Sequence, residues 1–351
     1  MPYTQINKYT DHFNTKHYTG NGSVRTETGV GFEPSWTWIK DRTGTNAHVL
    51  TDAVRGANYQ IYSNLTNAQT NASGYLTAFA SDGFTLGTDG AVNQNGRNYA
   101  SWNWKANGQG SSNTDGSINT IYTSANQTSG VSIIKYTGTG SNATVGHGLG
   151  VAPKMVILKV LSTNNDGMVG HSSLHATDAW DKYIYINDAS AVADANTMWN
   201  DTYPTATTVS LGTHSYVNYS GRNYIMYCFA EKPGFSKIGK YTGNNSSSGV
   251  FVFTDFKPSF VMIKRIDASG DWRIYDTQRF GAGGPNNKLH YLEPNTSDAE
   301  ASTDSGGNWD MLSNGFRFYT SEAEINGGGD YVYYAIGQSL VGSNNVPCTA
   351  R

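Results

Sequence analysis

Few residues in this 351-residue chain have the type and spacing that chemistry demands. His171-Ser172-Ser173-Leu174-His175 puts two imidazoles four residues apart, the spacing that places two metal ligands on one helical face, but it lacks the neighbouring glutamate of a metalloprotease. It reads as a polar loop. Gly146-His147-Gly148-Leu149-Gly150 looks like a phosphate-cradling loop, yet it runs through Pro153 into a strand-like segment rather than into a helix N-terminus, so it reads as a turn. Asn164-Asn165-Asp166-Gly167 offers oxygen ligands without the downstream bidentate glutamate of a calcium loop. Glu293, Asp298, Glu300 and Asp304 crowd a polar stretch where glycosidic cleavage could find paired carboxylates, although crowding in a solvated loop is the commoner cause. There is no Gly-X-Ser-X-Gly elbow, Walker loop or dinucleotide fingerprint. The expectation is a protein without catalytic residues, metal or cofactor.

Recognition is the remaining chemistry. Trp199 and Trp309 lie in polar, loop-like stretches and could stack on a sugar ring or a neighbouring subunit, or could cap their own folded units. Arg55, before Gly56, and Arg279, before Phe280-Gly281, could meet a partner's carboxylate, or could pin their own loops to a strand end. These four are the candidate binding residues.

The elements that would position them come in triplicate. Tyr-Thr-Gly occurs at Tyr18, Tyr136 and Tyr241, and a proline follows after 16, 17 and 17 residues at Pro34, Pro153 and Pro258. Each proline leads an apolar run that ends six residues later in Lys40, Lys159 or Lys264. An aromatic strand closes each copy, at Tyr99 to Trp104, Tyr224 to Phe229 and Tyr331 to Ile336, and fifteen residues before its first tyrosine stands Phe84, Val209 or Phe316. Four anchors in one order define a repeat of about a hundred residues. Forty glycines and 23 tyrosines favour turns and pleated strands.

The fold class expected is all-β, with three tandem β-sandwich-like, jelly-roll-like domains at 17–106, 131–232 and 238–341. An N-terminal attachment segment occupies 1–16, a flexible Gly/Ser/Asn-rich linker 107–130 and a tail 342–351. The short spacer after Glu231 predicts a tighter relation between the second and third copies than between the first and second. Tyr-Thr-Gly is read as opening the first strand of each copy, and one face of each closing strand as filling a sandwich core.

With 24 basic and 27 acidic residues, for a net charge of −3, no basic field exists for nucleic acid. No stretch approaches the length of a membrane span, so membrane insertion is not expected, and the N-terminus has no secretory pattern. Synthesis and folding in a cytoplasm follow. Cys228 and Cys348 are too few for a disulfide framework.

His17 to Ser23, Pro34 to Arg42, Leu50 to Gly56, Ser81 to Gly87 and Tyr99 to Ala106 together resemble a domain of tailed-bacteriophage virion surface and tail-fibre proteins, many of them from marine or cyanobacterial phages. The likeness is close over the first copy, looser over the third and loosest over the second, which lacks an evident Arg-Gly element. The resemblance implies a virion protein assembled in the host cytoplasm, a tail-fibre or receptor-binding component touching host surface polysaccharide. The alternative is a capsid decoration or fibre-attachment protein working through protein contacts; a polysaccharide-degrading tailspike is a third. Implied partners are other virion proteins and further copies of the chain, as a homo-oligomer and possible trimer.

Overall fold

The computed structural model describes residues 4–279, 290–302 and 308–338. Over these residues the fold is all-β, every named strand pairing being antiparallel. The strands sort into three sets in chain order. Each set has one large sheet with a common order: the Tyr-Thr strand lies beside the closing strand, then the post-proline strand, then the strand after it. In the first unit these are Phe13–Thr19, Asn98–Trp104, Trp36–Asp41 and Val49–Asp52. In the second they are Val131–Thr137, Asn223–Phe229, Met155–Val160 and Met168–His171. In the third they are Ser236–Thr242, Asp330–Gly337, Pro258–Arg265 and Arg273–Asp276. A smaller sheet covers one face of each large one. It contains Arg25–Thr28 and Gly83–Leu86 in the first unit, Ala143–Gly146 and Thr208–Leu211 in the second, and Phe251–Phe253 and Gly315–Tyr319 in the third.

Alternation along the closing strands shows that both faces of the large sheets are buried. Tyr99, Tyr224 and Tyr331 point into the three separate cores between large and small sheets. The opposite residues, Trp102 and Trp104, Tyr227 and Phe229, Tyr334 and Ile336, all enter one further core shared by the three units. Trp36 stacks on Tyr227 at 4.4 Å, Phe229 meets Tyr334 at 5.0 Å, and Phe13 meets Phe260 at 5.3 Å. The sequence reading, in which one face of each closing strand fills a sandwich core, left the second face without a cover; that face fills the shared core. A sheet with two apolar faces needs two covers, and the second cover here is the other two units.

The common core also corrects the boundaries. The segment 1–16 is not separate: Ile6 and Phe13 are buried in the shared core, and the boundary at residue 17 falls inside the strand Phe13–Thr19. Nor is 107–130 a free linker. Tyr122–Asn126 adds a strand to Val131–Thr137, and Ile118 forms a parallel bridge to Val145 on the edge of the small sheet. The connection between the first and second units is thus built into the second unit's sheets. Tyr-Thr-Gly closes its strand rather than opening it, because each tyrosine and threonine are the last two residues of the pairing and the glycine N–H makes one final bond, to the carbonyl of Arg97, Arg222 or Gly329.

The lysines that end the post-proline runs latch the ring. Lys40 Nζ donates to the carbonyl of Ser297 in the third unit at 3.0 Å, and Lys159 Nζ to Leu65 in the first at 2.5 Å. Lys264 Nζ donates to Ala189 and Ser190 in the second at 3.0 and 2.9 Å. Two residues beyond each lysine, the carbonyls of Arg42, Leu161 and Ile266 accept from the N–H groups of Glu300, Gln69 and Val192 at 2.9, 3.0 and 2.9 Å. Each unit grips its neighbour in the same cyclic sense, which is a threefold arrangement made by one chain.

Candidate functional site

The four residues singled out in the sequence lie inside the protein. Arg55 Nε donates to Asp52 at 2.5 Å and Arg279 Nε to Asp276 at 2.6 Å, with both ion pairs fully buried at the shared core. The same carboxylates accept from the next unit's closing strand: Tyr227 O–H donates to Asp52 at 2.7 Å and Trp102 Nε1–H to Asp276 at 2.9 Å. Burial opposes the charge of Asp276, but Arg279, His17 and the Trp102 N–H hold its carboxyl below the usual range. The arginines thus pin their own loops and reach no external carboxylate. In the second unit the place of the aspartate is taken by His171, paired with Met155 as Asp52 is with Trp36, and the place of the arginine by Leu174. Burial pushes His171 down to about 4, and its Nε2 meets the Tyr333 carbonyl at 3.4 Å. A neutral imidazole needs no countercharge, so both members of the pair changed together.

Trp199 and Trp309 require a correction. Both are buried. Trp199 ends a helical turn, packs edge-on against Trp180 at 5.6 Å, and lies over Gly170, where a Cβ would come within 3.0 Å of its ring. Trp309 sits in the strand Asn308–Leu312, against Tyr275 at 4.6 Å and Phe318 at 5.6 Å. Neither offers a ring to a ligand. Polar neighbours in sequence concealed them: Trp309 lies in a short strand that alternates apolar and polar residues, and Trp199 ends a single helical turn with one buried side.

His171 ends a strand while His175 is exposed and accepts from its own loop, so no pair of ligands forms. No cluster of metal-ligating residues occurs among the described residues. Gly148 and Gly150 take left-handed conformations in a turn, as expected. Of the crowded acids, Glu300 is held by Arg42 and Arg279; Asp304 lies outside the described residues, as do Phe280, Gly281 and Cys348.

The repeated anchors have structural explanations. Tyr18, Tyr136 and Tyr241 stack on Tyr99, Tyr224 and Tyr331 at 5.1, 5.1 and 5.0 Å, and their hydroxyls donate to Val92, Val217 and Ile325 at 2.7, 2.6 and 2.7 Å. Asn93, Asn218 and Asn326 tie the same corner by donating to two carbonyls each. These asparagines escaped the sequence reading. Their signal was Val-Asn or Ile-Asn shortly before each closing strand.

Where the copies diverge is more informative about ligands. Asn64, Asn187 and Asn295 are equivalent, since their Oδ1 atoms accept from the N–H groups of His48, Gly167 and Trp272 at 3.0, 2.8 and 2.8 Å. Two residues before each stands tyrosine in the first two units, Tyr62 and Tyr185, and a carboxylate side chain in the third, Glu293, and the surroundings of each differ. In the first unit Tyr62 meets Tyr75. In the second, Tyr185 packs edge-on against Tyr183 and, with Asp166, Asp188 and Ser190, lines an open polar cleft of about 270 Å³. Ser190 bonds lower the Asp188 carboxyl, which keeps it an acceptor. In the third, Arg273 occupies the ladder position held by Val49 and Met168 in the other units, and draws in Glu322 at 2.6 Å with Glu293 and Glu324 nearby. Burial, with Asp271 adding to it, pushes Glu293 up to about 7.

Over residues 8–339 the chain matches the family described as Domain of unknown function (DUF7483), and it belongs to that family. The match runs through all three units. No curated protein matches the chain.

Proposed function

We propose that this member of the family is a non-enzymatic structural protein of a tailed-bacteriophage virion, a tail-fibre or receptor-binding component whose clefts contact host surface glycans. The resemblance of the first copy to virion surface domains supports the setting. The observation that carries the glycan reading is the cleft of the second unit: carboxylate acceptors at Asp166 and Asp188, a tyrosine beside them, and about 270 Å³ of open space. Hydroxyl-rich ligands are recognised by such acceptors together with an aromatic face. That the cleft occupies the position where the three copies differ favours selection for contact rather than for folding. In this reading the protein is placed in the virion after assembly in the host cytoplasm, alongside other virion proteins.

The test is binding of fluorescently labelled protein to intact host cells, with and without stripping of surface polysaccharide. Saturable binding lost on stripping, and lowered at least tenfold by Tyr185→Ala with Asp188→Asn, is the expected result. Binding that survives stripping would overturn the glycan assignment.

A second reading, a capsid decoration or fibre-attachment protein, is favoured by one feature. Three units close around a shared core within one chain, giving a compact three-sided block suited to contact with other proteins. Recovery of the labelled protein on empty capsids or tails instead of cells would select it.

A further inference from the structure

The second and third units treat the same sheet edge in opposite ways. In the second, Ala143–Gly146 is the edge strand of the small sheet, and the chain covers it with a segment from the connection before Val131. Ile118 N–H donates to the Thr144 carbonyl at 3.0 Å, Thr144 N–H donates to Ser117 Oγ at 2.8 Å, and Ile118 is buried against the sheet. The equivalent strand in the third unit is Phe251–Phe253, because Val252 faces Phe316 as Val145 faces Val209. There the connection from the second unit is short, and among the described residues the strand pairs only with Gly315–Tyr319.

Its outer groups can be identified. Phe318 N–H donates to Val250 and Thr254 N–H to Asn314, so the ladder uses residues 250, 252 and 254, and alternation turns the N–H and C=O of Phe251 and Phe253 outward. The Phe251 carbonyl stands where Thr144's stands. The rings of Phe251 and Phe253 are 43% and 54% exposed. The first unit's edge, Arg25–Thr28, carries the Arg25–Glu27 ion pair, a charge that discourages added strands; Phe251–Phe253 carries no charge. Beside it an open cleft of about 280 Å³, lined by Glu231, Pro233, Ser236, Thr254, Asp255 and Phe256, occupies the place that in the second unit is packed by Asn113, Thr123 and Ala125 against Gly146 and Gly148. The large-sheet edge is stopped differently, by Glu231 accepting the Ile238 N–H at 2.8 Å. Among the described residues no strand pairs with the outer side of Phe251–Phe253.

We propose that the Phe251–Phe253 edge takes a strand from another protein, an uncharged extended segment added in parallel, with an apolar residue turned inward as Ile118 is. The uncharged edge selects against a charged strand, and the cover on the second unit supplies the geometry. Residues 116–127 of this chain, as a synthetic peptide, are the probe.

Hydrogen exchange of the full chain measures it. Alone, the protein should exchange the Phe251 and Phe253 amides at least tenfold faster than those of Val252 and Thr144. Adding the peptide should slow Phe251 and Phe253 at least tenfold, and Phe251→Lys with Phe253→Lys should abolish that slowing while leaving Val252 protected. Phe253→Pro, which removes one outward donor and leaves the inner ladder intact, should weaken it. Protection of Phe251 and Phe253 in the free monomer would overturn the proposal by showing the edge already covered. So would a dimer on light scattering that the lysine variant dissolves, which would make the occupant a second copy. No slowing at millimolar peptide would also overturn it.

Discussion

The latch lysines are the same three times, whereas the position two residues before the asparagine of the loop they grip is tyrosine in two units and glutamate in the third. Lys40, Lys159 and Lys264 make the same bonds to the same loop of the neighbouring unit. Tyr62, Tyr185 and Glu293 sit two residues before the equivalent asparagine of that loop: Tyr62 meets Tyr75, Tyr185 packs on Tyr183 beside an open cleft, and Glu293 stands near Arg273. Repetition marks what the ring needs in order to close; divergence marks positions released from that need and available for contact. The Asp-Arg pairs are intermediate. They occur in two units, and in the third case they are replaced as a pair.

The most severe way to break this comparison is to strand a buried arginine. Asp276→Ala or Asp52→Ala should cost about 3–5 kcal/mol in urea denaturation, since an unpaired guanidinium is left in the shared core. Writing the second unit's solution into the first, Asp52→His with Arg55→Leu, should recover a large part of that loss. If the double variant were as unstable as Asp52→Ala, the two solutions would not be interchangeable.

Removing a latch should cost less. Lys40→Met, Lys159→Met and Lys264→Met should each lower stability by about 1–3 kcal/mol, the range for a charged donor taken from buried carbonyls. Near-equal losses are expected at the three positions, and one silent latch would mean that the ring closes unevenly.

The same lysines predict a pH dependence. Burial pushes all three down to about 8, below their unfolded value of 10.5. Between about 8 and 10 the unfolded chain binds more protons than the folded one, so stability should rise with pH through that window. Above about 10 the trend should reverse, because burial raises Tyr18, Tyr136 and Tyr241 and the folded state then keeps protons the unfolded chain loses. Urea midpoints across pH 7 to 11 would show the maximum.

The smallest effect of a substitution belongs to Glu293. With Glu293 raised from 4.5 to about 7, the folded state holds a proton the unfolded chain has released, so stability should fall as pH rises from 4.5 through 7. Glu293→Gln should flatten that decline and change stability at pH 5 by no more than about 0.5 kcal/mol.

The sequence by itself determined the all-β class and the threefold repeat, because tyrosine pairs, turn glycines and post-proline strands are local requirements that every copy must satisfy. It also exposed the latch lysines through their constant six-residue distance from proline, although not their role. Tertiary structure alone decided that the units share a core. Two buried faces on one sheet look in sequence like an ordinary apolar strand, and nothing local says whose side chains cover the second face. For the same reason the sequence left Trp199 and Trp309 between stacking on a ligand and capping their own units, and Arg55 and Arg279 between a partner's carboxylate and their own loop; the tryptophans lie buried and the arginines lie paired within their own units. The chemistry of the clefts was out of reach as well, since Asp166, Asp188 and Tyr185 meet only after the second unit's sheet and its loops have folded together.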